Sequence, residues 1–351
     1  MTDDASGKSN QWQKIVGYVL GYQATWIADI GLKAGLFEAI REVDEAGVHE
    51  ADLAGRMGFD RRYVEVWCRA AYAFEYLDWD AARGYRLAPH MAALLLDPAD
   101  PQFVGGRVQF NAALYEDFKA YPTYLRSGGV WPRSEHDPWI LEALKNLTKP
   151  DPVMFTERVL PQAPQTLARL EEGGRILDIG AGAGFTIVHL ARRFPASRVI
   201  GIEYDGPSAE LARRTVAEAG VADRVEVRHA DANQLEDEHA FDLVTMNIAL
   251  HETGGWPEYE NVLRRVHRAL VPGGTVLLSE LPYPDDVAAY REQPVYKMLA
   301  GVQLHEALVG CGKITQGELH RLLEGAGFER LRVAEQPNPA RFVMLGETPR
   351  A

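Results

Sequence analysis

The chain has 351 residues, 46% of them hydrophobic, with 37 basic against 50 acidic side chains and a formal net charge of −13. That length supplies a core for two domains or one large one, and the acidic balance argues against a general polyanion binder. Two cysteines, Cys68 and Cys311, give neither a disulfide framework nor a thiolate metal site. No apolar run approaches a membrane span, and the opening MTDDASGKSN is polar and acidic, unlike a secretory leader, so the expectation is a cytoplasmic protein without membrane contact.

From the N-terminus, Trp12, Ile15, Val16, Val19, Tyr22, Trp26 and Ile30 recur at helical spacing, and helices continue through residues 28–40. Residues 49–59 read as a short helix closed by a Gly turn, after which Asp60 caps a helix from Arg61 to Phe74. Tyr76–Trp79 and Gly84–Leu87 pair as two short strands, so residues 1–100 read as a winged helix. A winged helix raises the question of DNA binding through Arg61, Arg62 and Arg69. Residues 1–100 carry ten Lys and Arg against sixteen Asp and Glu, the wrong sign for phosphate contacts. The three arginines are better read as a solvated face.

Residues 101–165 join the parts and are rich in aromatics: Phe110, Tyr115, Phe118 and Tyr121 at helical spacing, then Tyr124, Trp131, Trp139 and Phe155. The spacing marks a core stripe first. Arg126, Arg133 and Arg158 could hold a substrate carboxylate, and each could equally be surface.

The most informative stretch is Ile176 to Thr186, where apolar residues run into Asp178 and then into Gly180, Gly182 and Gly184 before an amphipathic run. Strand, tight turn and helix follow, with glycines that let the backbone turn sharply and a ligand approach closely. A second strand, 198–203, ends in Glu203, 19 residues past Gly184 (203 − 184). In a βαβ unit that acid falls beside the first turn, where it can accept ribose hydroxyls. Further strands are expected at 225–229, followed by Asp231 and Ala232, at 241–248, and at 275–280, ending in Glu280. A helix at 316–326 and strands near 329–334 and 341–346 close the chain.

This order, with ILDIGAGAGF, Glu203, HADA around Asp231 and LVPGGTVLLSE, resembles the class I S-adenosylmethionine-dependent methyltransferases over about residues 150–348. The resemblance implies an α/β fold with a Rossmann-like seven-stranded sheet in residues 166–351, behind the N-terminal helical winged-helix domain. It implies S-adenosylmethionine as cofactor, with Gly180, Gly182 and Gly184 along its methionine part and Asp178 near its amino group. Glu203 would then meet the ribose and Asp231 the adenine amine, with Ala232 and Asn247 beside them. It also implies a small-molecule acceptor, a homodimer formed through residues 10–100, and residues 101–165 as a lid over an aromatic or apolar substrate.

The chemistry rests on two repeated steps, Leu250-His251-Glu252 and Leu304-His305-Glu306. In one reading His251 is a general base for O-methylation, as in the plant-type enzymes whose H-D-W segment HETGGW resembles. In another, His251 and His305 bind one divalent or ferric metal ion, with Glu252 or Glu306 beside it. That arrangement resembles the 2-oxo-acid C-methyltransferases, where the metal favours the enol. In a third, one or both are ordinary core or surface residues. Glu280 is a further catalytic candidate. From another class, a ligand-sensing regulator built on the same fold stays open.

Overall fold

The computed structural model describes residues 2–100, 102–131, 135–137 and 139–350. Two compact units divide the chain: Met1–Tyr115 with Pro138–Leu147, and Glu116–Asp137 with Thr148–Ala351. The segment 101–165 is thus shared between them.

In the first unit α1 (Thr2–Lys33) leads to α2 (Leu36–Arg41), α3 (Glu50–Met57) and α4 (Arg61–Ala73). An antiparallel pair follows, β1 (Leu77–Asp80) and β2 (Gly84–Leu87), and then α5 (Met91–Leu96) and α6 (Gly105–Ala113). Asp60 starts α4 by accepting the N–H of Arg62 at 2.9 Å, so the cap falls where the sequence put it. The amphipathic spacing of α4 buries Val64, Trp67, Cys68 and Ala71 in a core with Phe37, Ile40 and Leu53. Arg61, Arg62 and Arg69 are exposed, and Arg69 is engaged by Glu65 one turn earlier.

Next in the chain are α7 (Tyr115–Ser127), α8 (Trp139–Thr148), α9 (Asp151–Met154) and α10 (Pro164–Glu171). The second unit is then built from β3 (Arg175–Ile179), α11 (Phe185–Arg193), β4 (Arg198–Glu203), α12 (Gly206–Glu218) and β5 (Val225–His229). After these come β6 (Phe241–Asn247), α13 (Trp256–Ala269) and β7 (Leu270–Glu280). The chain closes with α14 (Pro294–Leu308), α15 (Gln316–Gly325), β8 (Glu329–Val333) and β9 (Phe342–Glu347).

The expected seven-stranded sheet is present, in the order β5-β4-β3-β6-β7-β9-β8, with β9 antiparallel to both its neighbours. Successive side chains of β3 enter different cores. Leu177 and Ile179 pack with Val244 and Met246, and Ile176 packs with Val199 and Leu243. A sheet buried on both faces gives continuous apolar runs instead of alternation, which is why these strands were legible. The first connection leaves β3 toward β4, while β6 lies on the other side of β3. The carboxyl ends of β3 and β6 therefore border the crevice where α/β sheets bind ligands. Among the described residues no helix is long and apolar enough to cross a membrane.

Candidate active site

At the carboxyl end of β3 the chain turns through Gly180, Gly182 and Gly184, all at positive φ. A Cβ on Gly180 would come within 2.6 Å of the Ala249 methyl, so this glycine lets the turn pack on the segment after β6. A Cβ on Gly182 would meet nothing within 4 Å, so its backbone, at φ 51°, borders open space. Glu203, ending β4, accepts the N–H of Gly182 at 2.7 Å through one oxygen and that of Asp205 at 2.9 Å through the other. Burial pushes the Glu203 carboxyl above its ordinary range; the two N–H donors oppose this, and Glu252 and Asp205 add to it.

Asp178 is 2% exposed and accepts the Thr245 hydroxyl at 2.6 Å. Burial pushes its carboxyl up to about 7, against the Thr245 hydrogen bond and helped by the Glu203 charge. Asp231 is half-buried and caps the turn after β5 by accepting the Asn233 N–H at 2.8 Å, with Ala232 buried beside it. The glycine turn, Asp178 and Glu203 thus come together at one end of the sheet.

Beyond β6 the chain reverses at Ile248, whose φ of 45° puts a β-branched residue in the left-handed region, a strain of roughly 1–3 kcal/mol. Its N–H donates to the Ser279 carbonyl at 2.7 Å, which seats the following turn on the end of β7. There Glu280 accepts the N–H groups of Leu250 at 3.0 Å and His251 at 3.4 Å through Oε1. Its Oε2 lies 2.7 Å from His251 Nδ1. On the other side of the ring, Nε2 is 3.5 Å from Glu306 Oε2 on α14. Tyr259 donates its hydroxyl to the His251 carbonyl at 3.2 Å. Burial would depress the imidazole, but the carboxylates of Glu280 and Glu306 outweigh it and raise the His251 pKa well above its usual value.

Asn247, at the end of β6, donates its side-chain N–H to Asp151 Oδ2 at 2.9 Å. Arg341, which precedes β9, donates to the same oxygen from Nε at 2.9 Å and Nη2 at 2.7 Å. This buried pair ties α9 to the crevice end of the sheet. Nothing in the sequence pattern pointed to it, because its partners lie 190 positions apart.

Other candidates fall elsewhere. Glu252 is exposed, and the carboxylates that face His251 are Glu280 and Glu306. His305 is buried and faces Asp117, with Nδ1 3.1 Å from Oδ2. Arg126 and Arg158 are exposed, and Arg133 lies outside the described residues. Of the aromatics, Phe110 and Phe155 are core residues, whereas Tyr115 and Phe118 are each 43% exposed.

Residues 176–274, the span that carries the glycine turn, Glu203, Asp231 and His251, match the family model of a methyltransferase domain. Over 341 residues the chain is 30% identical to the 3-hydroxy-5-methyl-1-naphthoate 3-O-methyltransferase of Streptomyces sahachiroi, covering 91% of this chain and 90% of that protein. The chain belongs to the class I S-adenosylmethionine-dependent methyltransferases. The methyltransferase also shares its fold with two solved enzymes. One is the mitomycin 7-O-methyltransferase, with a TM-score of 0.70 at 19% identity, over 98% of this chain and 100% of that one. The other is human N-acetylserotonin methyltransferase in complex with S-adenosylmethionine, with a TM-score of 0.71 at 16% identity, over 97% and 98% of the two chains.

Proposed function

We propose that this methyltransferase methylates a hydroxyl oxygen of a small aromatic metabolite, with His251 as the general base. The observation that carries the reading is the His251 imidazole, held at Nδ1 by Glu280 and facing Glu306 at Nε2, at the crevice end of the sheet. The whole-length likeness to a naphthoate 3-O-methyltransferase supports a phenolic acceptor.

The residues present fit the cofactor. Gly182 borders open space, Glu203 reaches that same backbone from β4, and Asp178 offers a buried carboxylate to a cationic ligand. Gly180, Gly182, Gly184 and Asp178 would hold the methionine part, Glu203 the ribose, and Asp231 and Ala232 the adenine, with Asn247 at the crevice wall. When bound, S-adenosylmethionine supplies a methyl group on a sulfonium, an electrophile that needs no activation by the protein.

The remaining work is to bring the acceptor oxygen in line and take its proton. Glu280 fixes the ring orientation of His251 through Nδ1 and stabilises the imidazolium that proton uptake creates. Nε2 is then the atom that meets the acceptor hydroxyl, with Glu306 drawing the proton charge to that side. Glu280 and Glu306 act here as positioning residues. Metal-assisted C-methylation of a 2-oxo acid through His251 and His305 has less support, because the two imidazoles sit in different clusters, His251 with Glu280 and Glu306 and His305 with Asp117 and His136. For the assembly we propose a homodimer formed through the N-terminal unit, whose α1 leaves Trp12, Ile15, Tyr18 and Val19 exposed.

A panel of naphthols and hydroxynaphthoates, assayed with S-adenosylmethionine, tests the reading. His251→Asn is expected to lower kcat by about 10²–10⁴-fold while cofactor affinity is kept. An unchanged kcat would remove His251 from the chemistry.

A further inference from the structure

A second buried cluster lies in the same unit as His251 but takes no part in the chemistry above. Asp117 on α7, His136 in residues 135–137 and His305 on α14 are 0%, 7% and 6% exposed. Asp117 Oδ1 is 3.0 Å from His136 Nε2, and its Oδ2 is 3.1 Å from His305 Nδ1. One ligand atom from each of the three lies within 4.8 Å of the others, and among the described residues they are the one His/Cys/Asp/Glu group of which this holds.

We propose that Asp117, His136 and His305 bind a divalent first-row transition ion of the zinc class. Two imidazoles and one carboxylate form a donor set that suits such an ion and leaves a coordination position for water or another oxygen. Tetrahedral bonds of about 2.0–2.1 Å put neighbouring ligand atoms about 3.3 Å apart. The two imidazoles approach Asp117 at 3.0 and 3.1 Å on different carboxylate oxygens, and one ligand atom from each residue lies within 4.8 Å of the other two, so the three side chains would draw in around the ion.

Two further features support a prearranged site. Trp131 stacks on the His136 ring at 4.0 Å between centroids, which restrains the ring plane, and the Trp131 backbone N–H donates to the Leu308 carbonyl at the end of α14 at 2.7 Å. Charge argues the same way, since the Asp117 carboxylate is fully buried and a divalent cation offsets a buried carboxylate. The consequence for the enzyme is mechanical. His305 and Glu306 are neighbours on α14, so an ion that locks His305 to α7 also sets the position of Glu306 against His251.

The test uses the full-length protein, metal-stripped with chelator and dialysed. Zn²⁺ titration by calorimetry is expected to give about one site per chain, and Co²⁺ a visible d–d absorption with nitrogen ligation. Asp117→Asn and His136→Gln should each weaken Zn²⁺ binding by roughly 100-fold or more, with far-UV circular dichroism and S-adenosylhomocysteine affinity retained. His251→Asn should leave the metal titration unchanged. The proposal fails if the folded, cofactor-binding wild type takes up no Zn²⁺, which would leave a hydrogen-bonded triad only. It fails equally if binding survives Asp117→Asn and is lost in His251→Asn. Because the readouts are metal content and spectrum, they are independent of whether the acceptor reading above is right.

Discussion

At the scale of single residues, the two carboxylates around His251 set an opposition between stability and activity. The folded pKa of His251 is raised, so its ion pairing stabilises the protein fully below the unfolded histidine pKa of about 6.5 and is lost as pH rises through the folded value. A base must be unprotonated, so kcat/KM is expected to climb only as pH passes that raised value. Removing one carboxylate with Glu306→Gln should shift the acid limb of the kcat/KM profile toward lower pH. A limb that stays in place excludes Glu306 as a tuning group. Asp178 gives a separate titration with the opposite effect on ligand affinity. Its carboxyl sits up at about 7, so above that pH it is ionised and favours a cationic ligand. Calorimetry with S-adenosylmethionine should therefore show affinity rising through about pH 7, and Asp178→Asn should flatten that dependence. A wild-type profile flat between about pH 6 and 8 would show that Asp178 does not sense the cofactor.

At the scale of elements, the turn between β3 and α11 combines two kinds of glycine. At Gly182 the backbone has φ 51° and open space in front of it, so Gly182→Ala costs roughly 1–2 kcal/mol of strain and puts a methyl where a ligand would lie. The variant should fold, melt slightly earlier, and bind S-adenosylhomocysteine at least about tenfold more weakly, about 1.4 kcal/mol. Wild-type affinity in that variant would mean the turn does not cradle the cofactor. Gly180→Ala would instead drive a methyl into Ala249 and should fail mainly in stability. These elements were legible because their signals are local: apolar runs, glycine turns, and the acid ending β4. Where long-range pairing decides, sequence reasoning fell short. The strand β7 begins at Leu270, ahead of the Pro-Gly-Gly that reads as a turn, because Leu270 pairs with Phe241. The start of α13 at Trp256 is set locally, because Glu258 accepts the Gly255 N–H and Pro257 fits the first turn. The doubled Leu-His-Glu step did point to His305 and Glu306. No local pattern marks Asp117, which meets His305 across 188 positions.

For the whole molecule, the apolar face of α1 is the feature a single copy leaves unexplained. Trp12, Ile15, Val19, Tyr22 and Trp26 fall at alternating steps of three and four, which puts them on one stripe of the helix. Around Trp26 the helix is covered within its own unit, although Ile30 beyond it is 47% exposed. There the indole packs edge-on to Tyr115 at 5.8 Å between centroids, and Ala28 is fully buried. Toward the N-terminus the same stripe is open, with Trp12 65%, Ile15 61%, Val19 54% and Tyr22 53% exposed. Beside its covered end lies a groove of about 490 Å³ lined by Tyr22, Trp26, Ala70 and Phe74. A self-complementary stripe of this kind suits a two-fold contact with a second copy, in which each helix covers the other. Wild-type protein should therefore sediment as a dimer at micromolar concentration. Ile15→Lys with Val19→Lys, two exposed positions whose change costs the monomer little, should give a folded monomer that still binds S-adenosylhomocysteine. A monomeric wild type, or a double variant that stays dimeric, would mean that α1 is not the dimer contact.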